Sequence, residues 1–277
     1  MTGSNTPANP KHAIRAALLA ILIACLAGPA LAASDLYRAQ TIVTGTGEAN
    51  RLIGFASCLE DALVKVSGQL RLAGDPRLDP YKADASKLVR DFSYRDEKGG
   101  KPKNDEQGTR DRSFILTAEF DEAGVNGVLA KLDVKPWLSR RPVLGVFVEL
   151  QYSARRYVVA DDSRETSLQR DALMAAAAKR GMQIVLPDAT AIAGIGANDH
   201  ALVDIATAKL TEVVGQRGGE VLLIARLVWD DGELRWNSHW QLDAQGRSQR
   251  WQTAAVTFDE TFRQGIGIAA QILAGPP

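Results

Sequence analysis

The sequence predicts an export signal followed by a two-part protein of mixed α and β structure. Several segments place apolar residues three and four positions apart, which is typical of helices that bury one face. Other segments alternate in polarity or form short apolar runs between Gly, Pro and Asp turns, which indicates strands. Residues 16–29 are apolar and uncharged, and they follow a start that carries Lys11 and Arg15 but no acidic residue.

The first 32 residues have the layout of a secretory signal peptide. A basic start and a short apolar core lead to the small-x-small site Ala30-Leu31-Ala32. The apolar span is shorter than the roughly 20 residues that a membrane-crossing helix needs. We therefore expect cleavage after Ala32, a periplasmic location and no integral membrane span in the product. The segment ending at Cys25 resembles a lipobox, so a lipoprotein anchored through Cys25 is the alternative, but the residues after Cys25 stay apolar.

Charge and cysteine content exclude several classes of protein. Residues 1–32 hold two basic and no acidic side chains, so the remaining 245 residues carry 31 Lys and Arg against 33 Asp and Glu, a net charge of −2. Such a balance lacks the basic surplus of a nucleic-acid-binding protein. Only Cys58 remains after cleavage, so an intramolecular disulfide is excluded, and its place on an apolar helical stripe predicts a buried thiol.

Residues 33–134 are predicted to form an N-terminal unit of the order β-α-(α)-β-β-α. The helix containing Leu52 and Val66 ends at Gly68, and Asp121 is a suitable cap for the last helix. The charged segment 96–107 is expected to be a solvated loop. The predicted elements are a strand over 36–43, a helix over 52–66, a short helix over 83–89, an antiparallel pair over 92–95 and 113–120, and a helix over 121–132.

Residues 143–277 are predicted to form a C-terminal unit of the order β-(β)-α-β-α-β-β-β-α, which implies a mixed sheet carrying helices. A connector over 135–142 holds two prolines with Trp137, Arg140 and Arg141, and Trp137 is expected to pack between the units. The predicted elements are a strand over 143–150 that is covered on both faces, a returning strand over 156–160, a helix capped by Ser163, a strand over 182–186, a helix from Asn198 or Asp199, strands over 221–229, 234–242 and 250–258, and a helix over 259–273.

The strand over 234–242 alternates in polarity, which places two kinds of residue on its two faces. Trp236 and Trp240 are expected to face the covering helices as core. The opposite face would then be a polar stripe exposed to solvent and a candidate contact surface; it comprises Arg235, Asn237, His239 and Gln241. If the tryptophans instead faced solvent, they would suit a glycan or a lipid.

The sequence contains no recognised catalytic, cofactor or metal motif. A helix through this region would place His200 and Asp204 on one face near Asp199, but this gives too few ligands for zinc. Gly194-Ile195-Gly196 is only half of a phosphate-binding loop. We therefore assign no catalytic, cofactor or metal residue and favour a non-enzymatic role. The remaining surface candidates are Trp137, Arg140, Arg141, Asp199, His200, Arg235 and His239.

Several segments together resemble a family of uncharacterised proteobacterial exported proteins, catalogued as a domain of unknown function. They are LYRAQTIVTG, ALVKVSG, FSYR, PWLSRRPVLGVFVEL, AAAAKRGMQIVLPD, GGEVLLIARL and WNSHWQL. The resemblance covers nearly all of the chain after the signal and implies no activity, and residues 151–159 depart from the family pattern. The second unit is also similar to the amino-terminal domain of the Tol translocation protein and to curli-secretion-type lipoproteins. That similarity implies a partner-binding module.

Three functional hypotheses follow from these observations. The first is an exported accessory protein that binds or assembles with another envelope protein. The second is a periplasmic hydrolase with a site near Asp199, His200 and Asp204, and the third is a glycan or lipid binder that uses the Trp-bearing sheet. A deep pocket at His200 would favour the hydrolase, and exposed parallel Trp rings would favour the glycan binder. A flat exposed groove or a bare sheet edge would favour the partner module.

Overall fold

The computed structural model describes residues 33–96, 112–244 and 246–276. The predicted signal peptide, including Cys25, and nearly all of the predicted loop over 96–107 lie outside the described residues. The described chain forms a three-stranded antiparallel sheet and a six-stranded mixed sheet with helices packed on them. The predicted fold class is therefore confirmed.

The first half has the predicted order of elements around the smaller sheet. The predicted short helix over 83–89 is instead a helix that begins earlier, at Asp79, because Pro80 favours a helical first turn, followed by a 3₁₀ turn. The elements are α1 (Ala33–Leu36), β1 (Arg38–Thr44), α2 (Glu48–Ser67), α3 (Asp79–Ala83), β2 (Val89–Asp96), β3 (Ser113–Phe120) and α4 (Glu122–Lys131).

The smaller sheet has the strand order β1-β3-β2, and α2 packs on one of its faces. Gly54 of α2 lies directly against Leu116 and Val43, where a larger side chain would collide, so glycine permits this close approach. Cys58 lies on the buried side of α2 with no exposed surface, as predicted. Gly68 ends α2 in the left-handed conformation, with φ of 72°, and its N–H donates to Val64 O at 2.8 Å.

The second half surrounds the larger sheet, whose order is β5-β4-β7-β8-β9 with β6 also beside β4. Leu144–Leu150 of β4 is buried throughout, as expected for a strand covered on both faces. The elements are β4 (Leu144–Tyr152), β5 (Arg155–Val158), α5 (Ser167–Lys179), β6 (Ile184–Val185), α6 (Ala189–Gly194), α7 (Thr207–Gln216), β7 (Val221–Asp230), β8 (Arg235–Ala244), β9 (Arg247–Ala255) and α8 (Phe258–Ala274).

Two predicted helix starts in this half are wrong. The helix expected to be capped by Ser163 begins at Ser167, with Thr166 at its cap position, because Ser163 Oγ closes a local turn by accepting from Glu165 N at 3.2 Å. The helix expected from Asn198 or Asp199 begins only at Thr207. A short helix that was not predicted, α6, precedes it and is capped by the Asp188 side chain.

The helices cover the two faces of the larger sheet unequally. On one face, α5 and α8 enclose a core that includes Leu173, Phe262 and Ile266. Trp240 lies in this core at 1% exposure and stacks on Trp251, with ring centroids 6.2 Å apart and planes 4° from parallel. On the other face, α6 and α7 enclose a smaller core beside β4 and the start of β7.

The last strand, β9, starts and ends three residues earlier than predicted, at Arg247 and Ala255. Thr257 then caps α8, since its Oγ accepts from Glu260 N at 3.2 Å and stops the strand from continuing. The sheet therefore ends in a nine-residue edge strand that is followed at once by a helix on the covered face.

Candidate functional site

The candidate site is the part of the larger sheet that the helices leave uncovered. Because directly paired residues of neighbouring strands project to the same face, the strand register places Arg226, His239 and Gln252 in one row across β7, β8 and β9. His239 and Gln252 are exposed, whereas Trp240 on the opposite face is buried. We call this surface the open face. Its residues are Arg226, Val228, Arg235, Asn237, His239, Gln241, Asp243, Arg250 and Gln252.

A buried carboxylate, Glu149, marks the boundary of the open face. Glu149 lies on β4 beside Arg226 in the same row and has no exposed surface. Arg226 Nε lies 3.2 Å from one carboxylate oxygen, and Arg156 Nη1 lies 3.3 Å from the other. Leu202 N also donates to Glu149 Oε2 at 2.9 Å. Two guanidinium groups therefore neutralise a carboxylate that would be very costly to bury alone, and Oε2 is also hydrogen-bonded, whereas Oε1 is held by the ion pair with Arg226 only.

Arg156 joins this cluster to the segment that precedes α7. Its guanidinium donates to the carbonyl oxygens of Ala197, Asn198 and His200 at 2.8–3.0 Å. These carbonyls therefore converge on the Arg156 guanidinium, and the segment forms turns and a bend instead of a helix. This explains why no helix starts at Asn198 or Asp199. The segment instead folds over Glu149 and forms the last part of the cover on this face.

The predicted grouping of Asp199, His200 and Asp204 is wrong. His200 lies in a bend and Asp204 in a 3₁₀ turn, so no helix aligns them on one face. All three side chains are exposed. The structure does form a cleft of about 350 Å³ elsewhere on the larger sheet, and His200 does not line it. The cleft residues are Asp161, Met174, Ile184, Val185, Leu186, Gln216 and Arg217.

The connector residues lie between the smaller sheet's helix α2 and the core of the larger sheet. Trp137 is 9% exposed, and its ring lies against Gly68. Its backbone N–H donates to Val66 O at 2.8 Å. Arg141 stacks on this ring at 4.3 Å from the ring centroid and donates to Lys65 O at 2.7 Å. These contacts make Trp137 and Arg141 parts of the internal packing.

The other two arginines among the predicted candidates lie at the surface in ion pairs. Arg140 pairs with Glu220 at 2.8 Å, and Arg235, at the start of β8, pairs with Glu233. Among the predicted candidates, His239 and Arg235 therefore lie on the open face, since both are exposed on the same side of β8. Glu149, Arg156 and Arg226 were not predicted. The sequence signal for Glu149 and Arg226 is that each is a charged residue inside an otherwise apolar run. Such a residue needs a buried partner.

The aromatic residues of the last strands are arranged mainly as core. The parallel pair Trp240 and Trp251 lies beneath α8, where a side chain at Gly265 would collide with the Trp240 ring. A second cluster joins Tyr152, Trp229 and Trp236 at one end of the sheet, with ring centroids 5.4–6.4 Å apart and inclined planes. Neither cluster is an exposed platform of parallel rings of the kind that would favour a glycan binder.

Two further observations bear on the chemistry of the described chain. The described ranges contain no group of three or more His, Cys, Asp or Glu side chains that could hold a metal ion. None of the helices in these ranges combines the length and the apolar content that crossing a bilayer requires.

A buried lysine near the connector makes the stability of the chain depend on pH. Lys65 is 9% exposed, and burial lowers its pKa from 10.5 to about 8. Its Nζ donates to the carbonyl oxygens of Asp35 and Arg38 at 3.2 and 2.5 Å. Between pH 8 and 10.5 the unfolded chain binds more protons at this residue than the folded chain, so the contribution of Lys65 to stability rises with pH.

We predict that the free energy of unfolding of the wild-type chain rises relative to that of Lys65→Met when the pH is raised from about 7 to about 9. The expected difference is about 1 kcal/mol, since one pKa unit corresponds to about 1.4 kcal/mol. Urea unfolding at both pH values measures it. Burial raises the pKa of Cys58 to about 12, but this thiol is present in both proteins, so its effect cancels. Parallel pH profiles for the two proteins would contradict this role for Lys65.

We predict that Glu149→Gln lowers the free energy of unfolding by at least about 2 kcal/mol, because two partly buried guanidinium groups lose their charged partner and face an amide instead. Hydrogen exchange of residues 195–204 should become faster in the same variant. Glu233→Gln, which removes the exposed carboxylate paired with Arg235, is the matched control and should cost less than about 1 kcal/mol. Equal effects of the two substitutions would mean that the Glu149 cluster does not hold this segment in place.

Comparison with known proteins finds a family match over the first part of the chain. Residues 30–138 match a family described as Domain of unknown function (DUF8605). No curated protein matches the chain. The LpoB C-terminal domain from Salmonella enterica aligns with 14% identity and a TM-score of 0.27, over 42% of this chain and 83% of that chain. The crystal structure of an uncharacterized protein aligns with 9% identity and a TM-score of 0.22, over 48% and 90%. These TM-scores are too low to support an assignment of fold or function.

Proposed function

We propose that this chain is an exported accessory protein that binds another cell-envelope protein through the open face of its larger sheet. The proposal assigns it no catalytic step. The observation that carries it is the unequal cover of the larger sheet. On one side α7 and the Glu149 cluster cover β4 and the start of β7, while the same side of β8 and β9 is exposed.

The open face is a mainly polar surface that the core supports from behind. Its side chains are mostly amides and arginines, with a histidine, on the three neighbouring strands β7, β8 and β9. Polar groups on regular strands are held in place by the core behind them, here by Trp240 and Phe262. A preorganised surface of this kind loses little conformational entropy when a partner binds.

Export is supported by the layout of residues 1–32, with cleavage after Ala32 and release into the periplasm. A lipid anchor on Cys25 would keep the same folded part at a membrane surface.

We also propose that residues 33–134 and 143–277 act as two parts joined by the connector 135–142. One hydrophobic core is formed by residues from Leu36 to Val134 in the sequence, which include those of the smaller sheet. The cores of the larger sheet are formed by residues from Trp137 onward.

The alternative functions have less support. A hydrolase would need nucleophile, base and substrate to converge in one pocket, whereas Asp199, His200 and Asp204 are exposed and are not aligned. A glycan platform would need exposed aromatic faces, whereas Trp240 is 1% exposed and Trp236 is 9% exposed. The bare sheet edge and flat polar face favour a partner module.

We predict that crosslinking and purification of the tagged full chain from envelope fractions recovers the same partner with the wild type and with Gln40→Glu. His239→Glu should reduce this recovery at least about tenfold, which corresponds to about 1.4 kcal/mol of binding free energy. Both positions are exposed strand residues, and Gln40 lies on the smaller sheet, so the introduced charge is matched.

N-terminal sequencing of the same purified material tests export. A product that begins at Ala33 supports simple cleavage, and an acylated Cys25 supports the lipoprotein alternative. A chain that begins at Met1 and remains in the cytosol would contradict the proposal. Unchanged recovery with His239→Glu would exclude the open face as the binding surface.

A further inference from the structure

We infer that β9 binds an extended acidic segment of the partner as an additional strand of the larger sheet. This inference rests on the proposed function and names the kind of partner that the same surface would accept.

The edge geometry of β9 is suited to strand addition. β9 is nine residues long, contains no proline, and pairs with β8 in an unbroken register from Arg247 to Ala255. Within the described residues, no backbone hydrogen bond joins β9 to an element other than β8. Its outer edge therefore presents a row of unpaired N–H and C=O groups, which is the template that an added strand uses. β2, which is also an edge strand, has a register shift between Val89 and Asp91, and such irregularities interrupt pairing.

The charge of β9 favours an acidic partner. The strand holds Arg247 and Arg250 and no acidic residue, and both arginines are exposed. Arg250 Nε donates to Gln241 Oε1 at 2.9 Å, but in the described part of the chain neither arginine forms an ion pair. The arginines on the two neighbouring strands are different, because Arg226 pairs with Glu149 and Arg235 pairs with Glu233. Of these three strands, β9 therefore carries arginines without a direct carboxylate partner, and Arg250 is linked to Asp243 only through the Gln241 amide.

The same charge disfavours a second copy of this chain as the occupant. Two β9 strands paired with each other would bring four arginines into one ladder with no carboxylate on either strand. Like charges that face each other across a strand pair are destabilising, and charged edge residues are a common protection against self-pairing. A partner strand with acidic side chains would turn this repulsion into attraction.

The alternation along β9 further defines the partner. Arg250 and Gln252 project to the open face, so partner side chains on that side would be acidic or polar. Trp251 projects to the other side, is half-buried, and stacks on Trp240. Arg247 and Gln249 project to that side as well, so an apolar partner side chain is expected only beside the Trp251 ring. The expected segment therefore carries acidic residues opposite Arg247 and Arg250, on its two sides, and an apolar residue beside Trp251.

The test places a photo-crosslinking residue, benzoylphenylalanine, at Ser248, Gln252 or Ala254 of the full chain, one position at a time. The chain is expressed in its native cells, and the crosslinked peptides are mapped by mass spectrometry. Strand addition predicts one acidic segment whose crosslinked residue moves in step with the probe. Moving the probe from Ser248 to Gln252 should shift the crosslink by four residues, and moving it from Gln252 to Ala254 should shift it by two.

Charge reversal supplies the second part of the test. Arg247→Glu combined with Arg250→Glu should reduce the crosslink yield from Gln252 at least about tenfold. Arg164→Glu combined with Lys209→Glu makes the same change in net charge at exposed positions outside the larger sheet's strands, and it should leave the yield unchanged. Circular dichroism of both double variants checks that they are folded.

Several outcomes would overturn the inference. Crosslinks to peptides of this chain would identify a second copy as the occupant. Crosslinks without a common register, or to a segment that is not acidic, would mean that β9 does not receive an acidic strand. Crosslinks from a probe at His239 but not from β9 would overturn the inference and leave the proposed function in place. Absence of crosslinks from probes on β9 and at His239 would overturn both this inference and the proposed function. The arginines of β9 would then serve only to protect the edge from pairing.

Discussion

The need to neutralise one buried carboxylate determines the arrangement of a whole side of the larger sheet. Glu149 lies within the most deeply buried strand of the protein, where an unpaired charge would cost far more than the net stability of a domain allows. Arg226 and Arg156 approach it from the two neighbouring strands, β7 and β5. Arg156 in turn binds three carbonyl groups of the segment that folds over it, so one ion cluster fixes both the strands and their cover.

The same cluster also sets the limit of that cover. Arg226 is the first residue of the row that extends through His239 to Gln252, and from this point the side chains are polar and exposed. On the opposite side of the same strands, Trp240 and its neighbours are sealed beneath α8. The larger sheet therefore has one side that serves as core and one that changes from core to open surface across β7. A surface supported in this way can bind a partner without itself rearranging.

The sequence predicted those elements whose structure depends on local pattern. The continuous apolar run of β4, the helical spacing of α2 and α8, and the alternation of β8 each had one consistent interpretation, and the structure confirms them. The start of α7 could not be predicted, because it depends on the hydrogen bonds that Arg156, a residue about 40 positions earlier, donates to the carbonyls of Ala197, Asn198 and His200.

The candidate site was predicted only in part for the same reason. Alternation along one strand was enough to place His239 on a polar face. The extent of the open face depends on which helices cover which strands, and this is a property of the assembled sheet. The pairing of Glu149 with Arg226 joins two segments far apart in the sequence, so the sequence indicated two isolated charges but not their contact.

The most direct measurement of the central claim compares two exposed histidines, His239 on the open face and His200 in the segment near β5. Diethyl pyrocarbonate labels accessible imidazoles, so its reaction with each can be measured in the purified chain and in intact envelopes. If the open face is occupied by a partner, both histidines react in the purified chain, and only His239 becomes protected in the envelope. If the ratio of His239 reactivity to His200 reactivity is the same in the purified chain and in the envelope, the open face is not occupied by a partner.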